Sequence, residues 1–164
     1  MKLYINRILQ VLMLSTVMMA CSTDDICLTP TLVTLRGNFV NKDTSGTLRD
    51  SIQTNALWVF GSSLNYAQSL KNTSSFAFPL SQIQDSVIVY YLADSLNIVP
   101  EKIDTLRIKY TRQIKFISNA CGYQTWFTLN EIAHSQHSID SVRISTSEVS
   151  NDANSIHIKV ILKQ

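Results

Sequence analysis

The sequence predicts an all-β protein, an antiparallel β-sandwich, and three observations carry that prediction. Apolar residues recur at every second position in several segments, turn-forming clusters separate those segments, and no stretch keeps a long helical period. Eight or so short strands without βα alternation favour two packed sheets over any α/β arrangement.

Taken in order, strands are expected at 32–40, 57–60, 75–80, 86–92, 104–117, 123–129, 138–147 and 156–162. The last is the clearest, since Ile156, Ile158, Val160 and Leu162 share one face and His157 falls on the other, toward water or a partner. In 104–117, Leu106, Ile108, Tyr110, Ile114 and Phe116 define the apolar face, with Arg107, Lys109, Thr111, Gln113 and Lys115 opposite and Arg112 out of phase. Fourteen residues are long for one strand, so a bend, a bulge or a junction of two strands is expected near 111–113. Turn chemistry separates the strands, as in 41–46 and 151–154. The best helical candidate is a single turn in 62–71, where Leu64, Ala67 and Leu70 stand three apart. An immunoglobulin-like or transthyretin-like topology fits this count, although strand order is not readable from periodicity.

The N-terminus follows a different logic. Lys2 and Arg7 precede an apolar run from Ile8 to Ala20, interrupted only by Gln10, Ser15 and Thr16. That run is shorter than the ~20 apolar residues of a spanning helix and reads as the apolar region of an export signal. Val17-Met18-Met19-Ala20-Cys21 resembles a lipobox, in which the cysteine takes a diacylglycerol and becomes the first mature residue. Residues 1–20 are thus expected to be a cleaved lipoprotein signal peptide, 21–29 the lipidated N-terminus and linker, and 30–164 a single domain. The stretch Ser22-Thr23-Asp24-Asp25 is a solvated spacer in one reading; in another it resembles the acidic signal that sends Bacteroidota lipoproteins to the outer face of the outer membrane.

Without the signal, which holds Lys2 and Arg7 and no acid, twelve basic side chains face twelve acidic ones. Such a neutral chain gives no reason to expect nucleic acid, whose binding depends on clustered cations. Cys27 and Cys121 remain as an even pair in a compartment where disulfides persist. Joined, they would close a loop of more than ninety residues and stabilise by about 4 kcal/mol in the chain-entropy model; two buried or unpaired thiols are the alternative.

Site chemistry is sparse. His134 and His137, with Glu131 nearby, have a spacing that metals use, but they fall in a polar stretch without further ligands, so no metal or cofactor is expected. No nucleophile elbow or phosphate loop occurs among four glycines, and the chain is not expected to be an enzyme. Five Asp-hydroxyl-aliphatic triplets place Ser51, Ser86, Ser95, Thr105 and Ser141 as candidate O-glycosylation acceptors, each equally readable as a turn that opens a strand. Trp58 and Trp126 are expected in the core, and Arg107, Lys109 and Lys115 on a solvated face.

Cys21-Ser22-Thr23-Asp24-Asp25-Ile26-Cys27, Phe78-Pro79-Leu80, Asp104-Thr105-Leu106 with Tyr110-Thr111-Arg112, and Ile117-Ser118 with Cys121-Gly122-Tyr123 together resemble an uncharacterised family of small Bacteroidota outer-membrane lipoproteins. The resemblance implies an all-β, lipid-anchored domain in which Cys27 and Cys121 match the family's two non-anchor cysteines. It implies no activity. The resulting expectation is a non-catalytic binding or scaffold module at the outer membrane, on its surface or periplasmic face. It is held to the bilayer through Cys21 and contacts an envelope protein, the alternative partner being a surface glycan.

Overall fold

The computed structural model describes residues 26–27, 32–60, 67–94 and 96–163. Eleven strands lie in them: β1 (Thr34–Lys42), β2 (Leu48–Asp50), β3 (Ala56–Phe60), β4 (Ala67–Leu70), β5 (Ser75–Pro79), β6 (Ser86–Leu92), β7 (Asp104–Ser118), β8 (Gly122–His134), β9 (Ile139–Ile144), β10 (Glu148–Val149) and β11 (Ile158–Leu162). The helical content of these residues is one 3-10 turn, Pro100–Lys102, opened by a proline whose missing N–H costs nothing there. The all-β sandwich expected from alternation is the observed architecture.

One sheet runs β2-β1-β11-β9, with β5 also on β1, and the other runs β10-β8-β7-β6-β3-β4. β1 is shared along its length: Thr34 to Asn38 pair with β5, and Val40 to Lys42 pair with β2. Phe39 sits at the junction, its N–H donating to Ser74 O at 2.7 Å and its carbonyl accepting from Ser51 N at 2.8 Å. On its other edge β1 runs parallel to β11, from Gly37↔Ile158 to Asn41↔Leu162. This parallel pair makes the first sheet mixed, correcting the purely antiparallel expectation. Its strands are the first and the last of the described chain, so no short connection forces them to be antiparallel.

Rings from both sheets interlock between them. Phe39 of β1 and Phe76 of β5 meet Trp58 of β3 and Tyr91 of β6, with centroids 5.0–5.6 Å apart. Each such ring buries enough apolar surface to stabilise by about 1.5–3 kcal/mol, and its tilted contacts add about 0.5–1.5 kcal/mol each. Trp58 is wholly buried, as expected of a core residue. Tyr91 keeps its hydroxyl satisfied by donating to Gln53 Oε1 at 2.7 Å; burial, with Asp104 nearby, pushes that phenol far above its ordinary range.

A carboxylate closes the end of the sandwich where β7 begins. Asp104 is fully buried, and its oxygens accept from Ser135 Oγ (2.9 Å) and from the N–H groups of His137 (2.8 Å), Ser138 (2.6 Å) and Ile139 (3.0 Å). Four donors offset the desolvation that an unpaired buried charge would suffer. The β8–β9 crossover is thereby fixed to the start of β7.

Several local expectations change. The helical turn in 62–71 is replaced, over its described residues, by β4, because Ala67 to Leu70 pair with Val59 to Ala56; Leu64 lies outside the described residues. The 104–117 segment lies in one strand, and its irregularities fall at Lys109/Tyr110, opposite Asn130, and at Phe116/Ser118, on either side of the expected position. β8 runs on to His134, so Glu131 and His134 belong to a strand and not to a loop. The 138–147 segment is β9, after which the chain returns to the other sheet as β10.

Two substitutions test this packing. A Cβ on Gly37 would strike the Phe76 ring and lie 2.7 Å from Ile158 Cγ1 and 2.9 Å from its carbonyl, so Gly37→Ala is expected to lower unfolding stability by about 1–3 kcal/mol through overpacking. Asp104→Asn turns an acceptor oxygen into a donor facing N–H groups, and is expected to cost about 3 kcal/mol. Denaturant midpoints at neutral pH read both.

Candidate functional site

The feature that departs most from a closed sandwich is the β7–β8 hairpin. β6 flanks β7 only from Asp104 to Lys109, followed by one further bond from Tyr110 N to Asp85 O at 3.0 Å. On the far side of β8, β10 pairs at Phe127 and Thr128 alone. Among the described residues, then, the outer part of the hairpin is a two-stranded ribbon. Ile114 and Phe116 keep the parity of Leu106, Ile108 and Tyr110, but nothing described lies opposite them. They are 75% and 57% exposed, and Tyr123, across from Phe116, is 74% exposed. This corrects their placement on the core face: alternation is preserved while cover runs out. Phe116 and Tyr123 pack edge to face at 5.4 Å.

The ribbon is fastened at both ends. At its base, the Tyr110 hydroxyl accepts from Ser81 N (2.9 Å), and Arg112 donates through Nε to Asp85 Oδ1 (2.8 Å) and through an Nη to Gln82 O (2.7 Å). Burial raises the Tyr110 pKa. At its tip, Ser118 pairs with Gly122 across a three-residue turn. Cys121 N donates to Ser118 Oγ at 3.0 Å, and Gly122 takes the left-handed φ of +66° that a side chain would oppose. Cys121 is disulfide-bonded to Cys27, with Cα atoms 4.8 Å apart and a sequence separation of 94. The thiol alternative is thus replaced by a bridge that pins the N-terminal segment to the hairpin tip, worth about 4–5 kcal/mol for a loop of this length.

A shallow groove of about 650 Å³ lies between the 82–85 turn and the ribbon, bordered by Asp85, Tyr110, Arg112, Ile114 and Thr125. Of its three charged side chains, Arg112 is paired with Asp85 and Lys109 with Glu131, so it offers an open strand edge and an aliphatic side chain instead of an unpaired charge. On the opposite face Lys115 Nζ sits 3.7 Å from the centroid of half-buried Trp126 and 3.7 Å from Glu148, while Lys109 pairs with Glu131 at 2.8 Å. Lys109 and Lys115 of the expected basic stripe are therefore paired on their own sheet, and Trp126 lies beneath a cation and packs on the edge of the core.

The histidines fall apart as a group. His134 ends β8 with Nδ1 2.9 Å from Ser135 O, and His137 is exposed in the following turn. Among the described residues no group of three His, Cys, Asp or Glu side chains is placed to hold a metal ion. His157 corrects its expected outward face: it is fully buried, and its Nδ1 accepts from Arg36 N at 2.9 Å. Burial lowers its pKa, and the accepted bond occupies the nitrogen a second proton would need. Nε2 has no hydrogen-bond partner among the described residues.

Of the triplet hydroxyls, Ser51, Ser86, Thr105 and Ser141 are half-buried. The aspartate beside Thr105 is the fully buried Asp104, and Ser141 Oγ donates to Asp140 at 3.1 Å. Ser95, Cys21 and the signal segment lie outside the described residues. Sequence reasoning missed the Asp104 cradle and the bare ribbon. One signal for the ribbon was on the page: residues 113–130 hold a single charge, Lys115.

The His157 environment fixes a pH dependence. A lowered folded-state pKa means that the unfolded chain takes up the proton first, so stability is complete above pH ~6.5 and declines as pH falls below it. Asp43, Glu131, Asp140 and Asp152 have pKa values lowered from 3.8 or 4.5 and act only in stronger acid. Denaturant midpoints between pH 7.5 and pH 5, a window bounded by these ordinary pKa values, should fall for the parent and stay nearly flat for His157→Asn, whose amide oxygen keeps an acceptor for Arg36 N.

No curated protein and no solved structure matches the chain. A family model described as a family of unknown function (DUF6452) matches residues 48–162, from β2 through β11, and so includes Cys121 but not Cys27.

Proposed function

The chain belongs to this family of unknown function, DUF6452, and we propose that it works as a lipid-anchored cell-envelope protein, a non-catalytic binding or scaffold module that contacts an envelope protein partner. In this reading residues 1–20 are removed and Cys21 carries the lipid. The domain then stands at the outer membrane, on its surface or periplasmic face, as in small Bacteroidota lipoproteins. The observation that carries the proposal is the bridge from Cys27 to Cys121, which ties the segment following the lipobox-like sequence to a projecting ribbon with an unpaired edge.

What supports a protein partner over a glycan is the distribution of aromatic surface. Trp58 is enclosed and Trp126 lies under Lys115, so neither presents an open stacking platform, whereas the β7 edge beyond Tyr110 and the exposed Ile114 offer strand pairing and apolar contact. Ser51, Ser86, Ser95, Thr105 and Ser141 stay proposed sugar acceptors, Thr105 the least favoured because its aspartate is consumed in the Asp104 cradle.

Fractionation after high-salt washing tests the anchor. Wild type should stay with membranes and incorporate labelled palmitate, and Cys21→Ser should move to the soluble fraction; an unlabelled wild type would end the proposal. Purification from the native envelope tests the partner: a stoichiometric envelope protein is expected, and retention on a glycan array without one would replace it.

A further inference from the structure

We propose that the outer end of the β7–β8 ribbon is a second membrane contact, its apolar face seated in the interfacial layer of the bilayer that holds Cys21; this rests on the lipid-anchor reading above. Three observations converge on lipid as the occupant. Ile114, Phe116 and Tyr123 stand on one ribbon face in adjacent register, and Ile26, next to the bridged Cys27, is equally exposed. Aromatic rings with a polar tip, flanked by aliphatics, settle at the boundary between headgroups and acyl chains.

Charge points the same way. Residues 113–130 contain no carboxylate and one cation, against 16% charged residues over the whole chain. A carboxylate there would be repelled by anionic headgroups and costly to bring near hydrocarbon, and the one cation, Lys115, lies on the opposite ribbon face, held by Trp126 and Glu148.

The tether then selects the orientation. Six residues lead from Cys21 to Cys27 and cover about 20 Å even when fully extended. The fifteen residues of β7 span about 50 Å. Whatever the tilt of the domain, the tip is held near the lipid attachment, while the Asp104 end is free to stand far from it.

The test uses the lipidated full-length protein in vesicles of phosphatidylethanolamine and phosphatidylglycerol, with Tyr123→Trp supplying an indole at the ribbon face and the parent's two tryptophans as background. Anchoring should reduce acrylamide quenching of the new indole by about threefold or more, and lipids brominated near the headgroup should quench it. If that indole stays as accessible as in the lipid-free Cys21→Ser background while the protein floats with the vesicles, the contact is wrong and the anchor stands. If the protein neither floats nor takes up palmitate, the anchor reading fails and carries this inference with it. Protection that rises with protein concentration without vesicles assigns the face to a second copy. Protection in native membranes but not in protein-free vesicles assigns it to a protein partner. Either result overturns the lipid contact.

Discussion

β2, β5 and β11 all pair directly with β1, and β9 joins the same sheet only through β11. The smaller sheet therefore hangs on one nine-residue strand, whose neighbours change at Phe39. Phe39 is also the ring through which that sheet grips Trp58 and Tyr91 of the larger one. Backbone pairing and ring packing converge on it, so register in one sheet and spacing between the sheets are set together. Gly37, two residues away, belongs to the same constraint: β5 and β11 close on β1 from both sides there, and the Phe76 and Ile158 side chains fill the space a methyl group would take.

Much of this was legible in the residues, and the parts that were not share a cause. Alternation reports which face a side chain occupies, and it placed Leu106, Ile108 and Tyr110 of β7 and Ile158 and Val160 of β11 in the core, whereas an irregularity at Ile161/Leu162 buries Ile161 as well. It cannot report whether anything lies opposite that face. Ile114 and Phe116 carry the same signal as Ile108, yet they are exposed, with nothing of the partner sheet opposite them among the described residues. His157 shows the converse. It precedes β11, so strand parity does not govern it, and a hydrogen bond to Arg36 N draws the ring inward. The short strands β2, β4 and β10 escaped for a third reason: two to four residues carry no measurable period and pair only because a neighbouring strand presents an open edge.

The candidate site was legible in its parts and not in its assembly. Cys27 and Cys121 read as a pair from their number, but only the fold puts Cys121 at the apex of a hairpin, where a bridge becomes a tether and not a staple within the core. Arg112, which broke the phase of its strand on the page, turns out to be the residue that ties the ribbon base to the 82–85 turn through Asp85 and Gln82. A break in pattern marked a junction.

The parallel pairing of β1 with β11 bears on how the protein is made. Synthesis delivers β1 early, yet its edge partner β11 follows it by more than a hundred residues. Until β11 emerges, one side of the strand that organises the smaller sheet is an unsatisfied row of amides, open to any extended segment it meets. A sheet closed by strands so distant in sequence assembles late and as a whole. A nascent chain of this kind needs shielding until β11 has emerged, and loss of β11 would leave the central strand of that sheet bare on one edge.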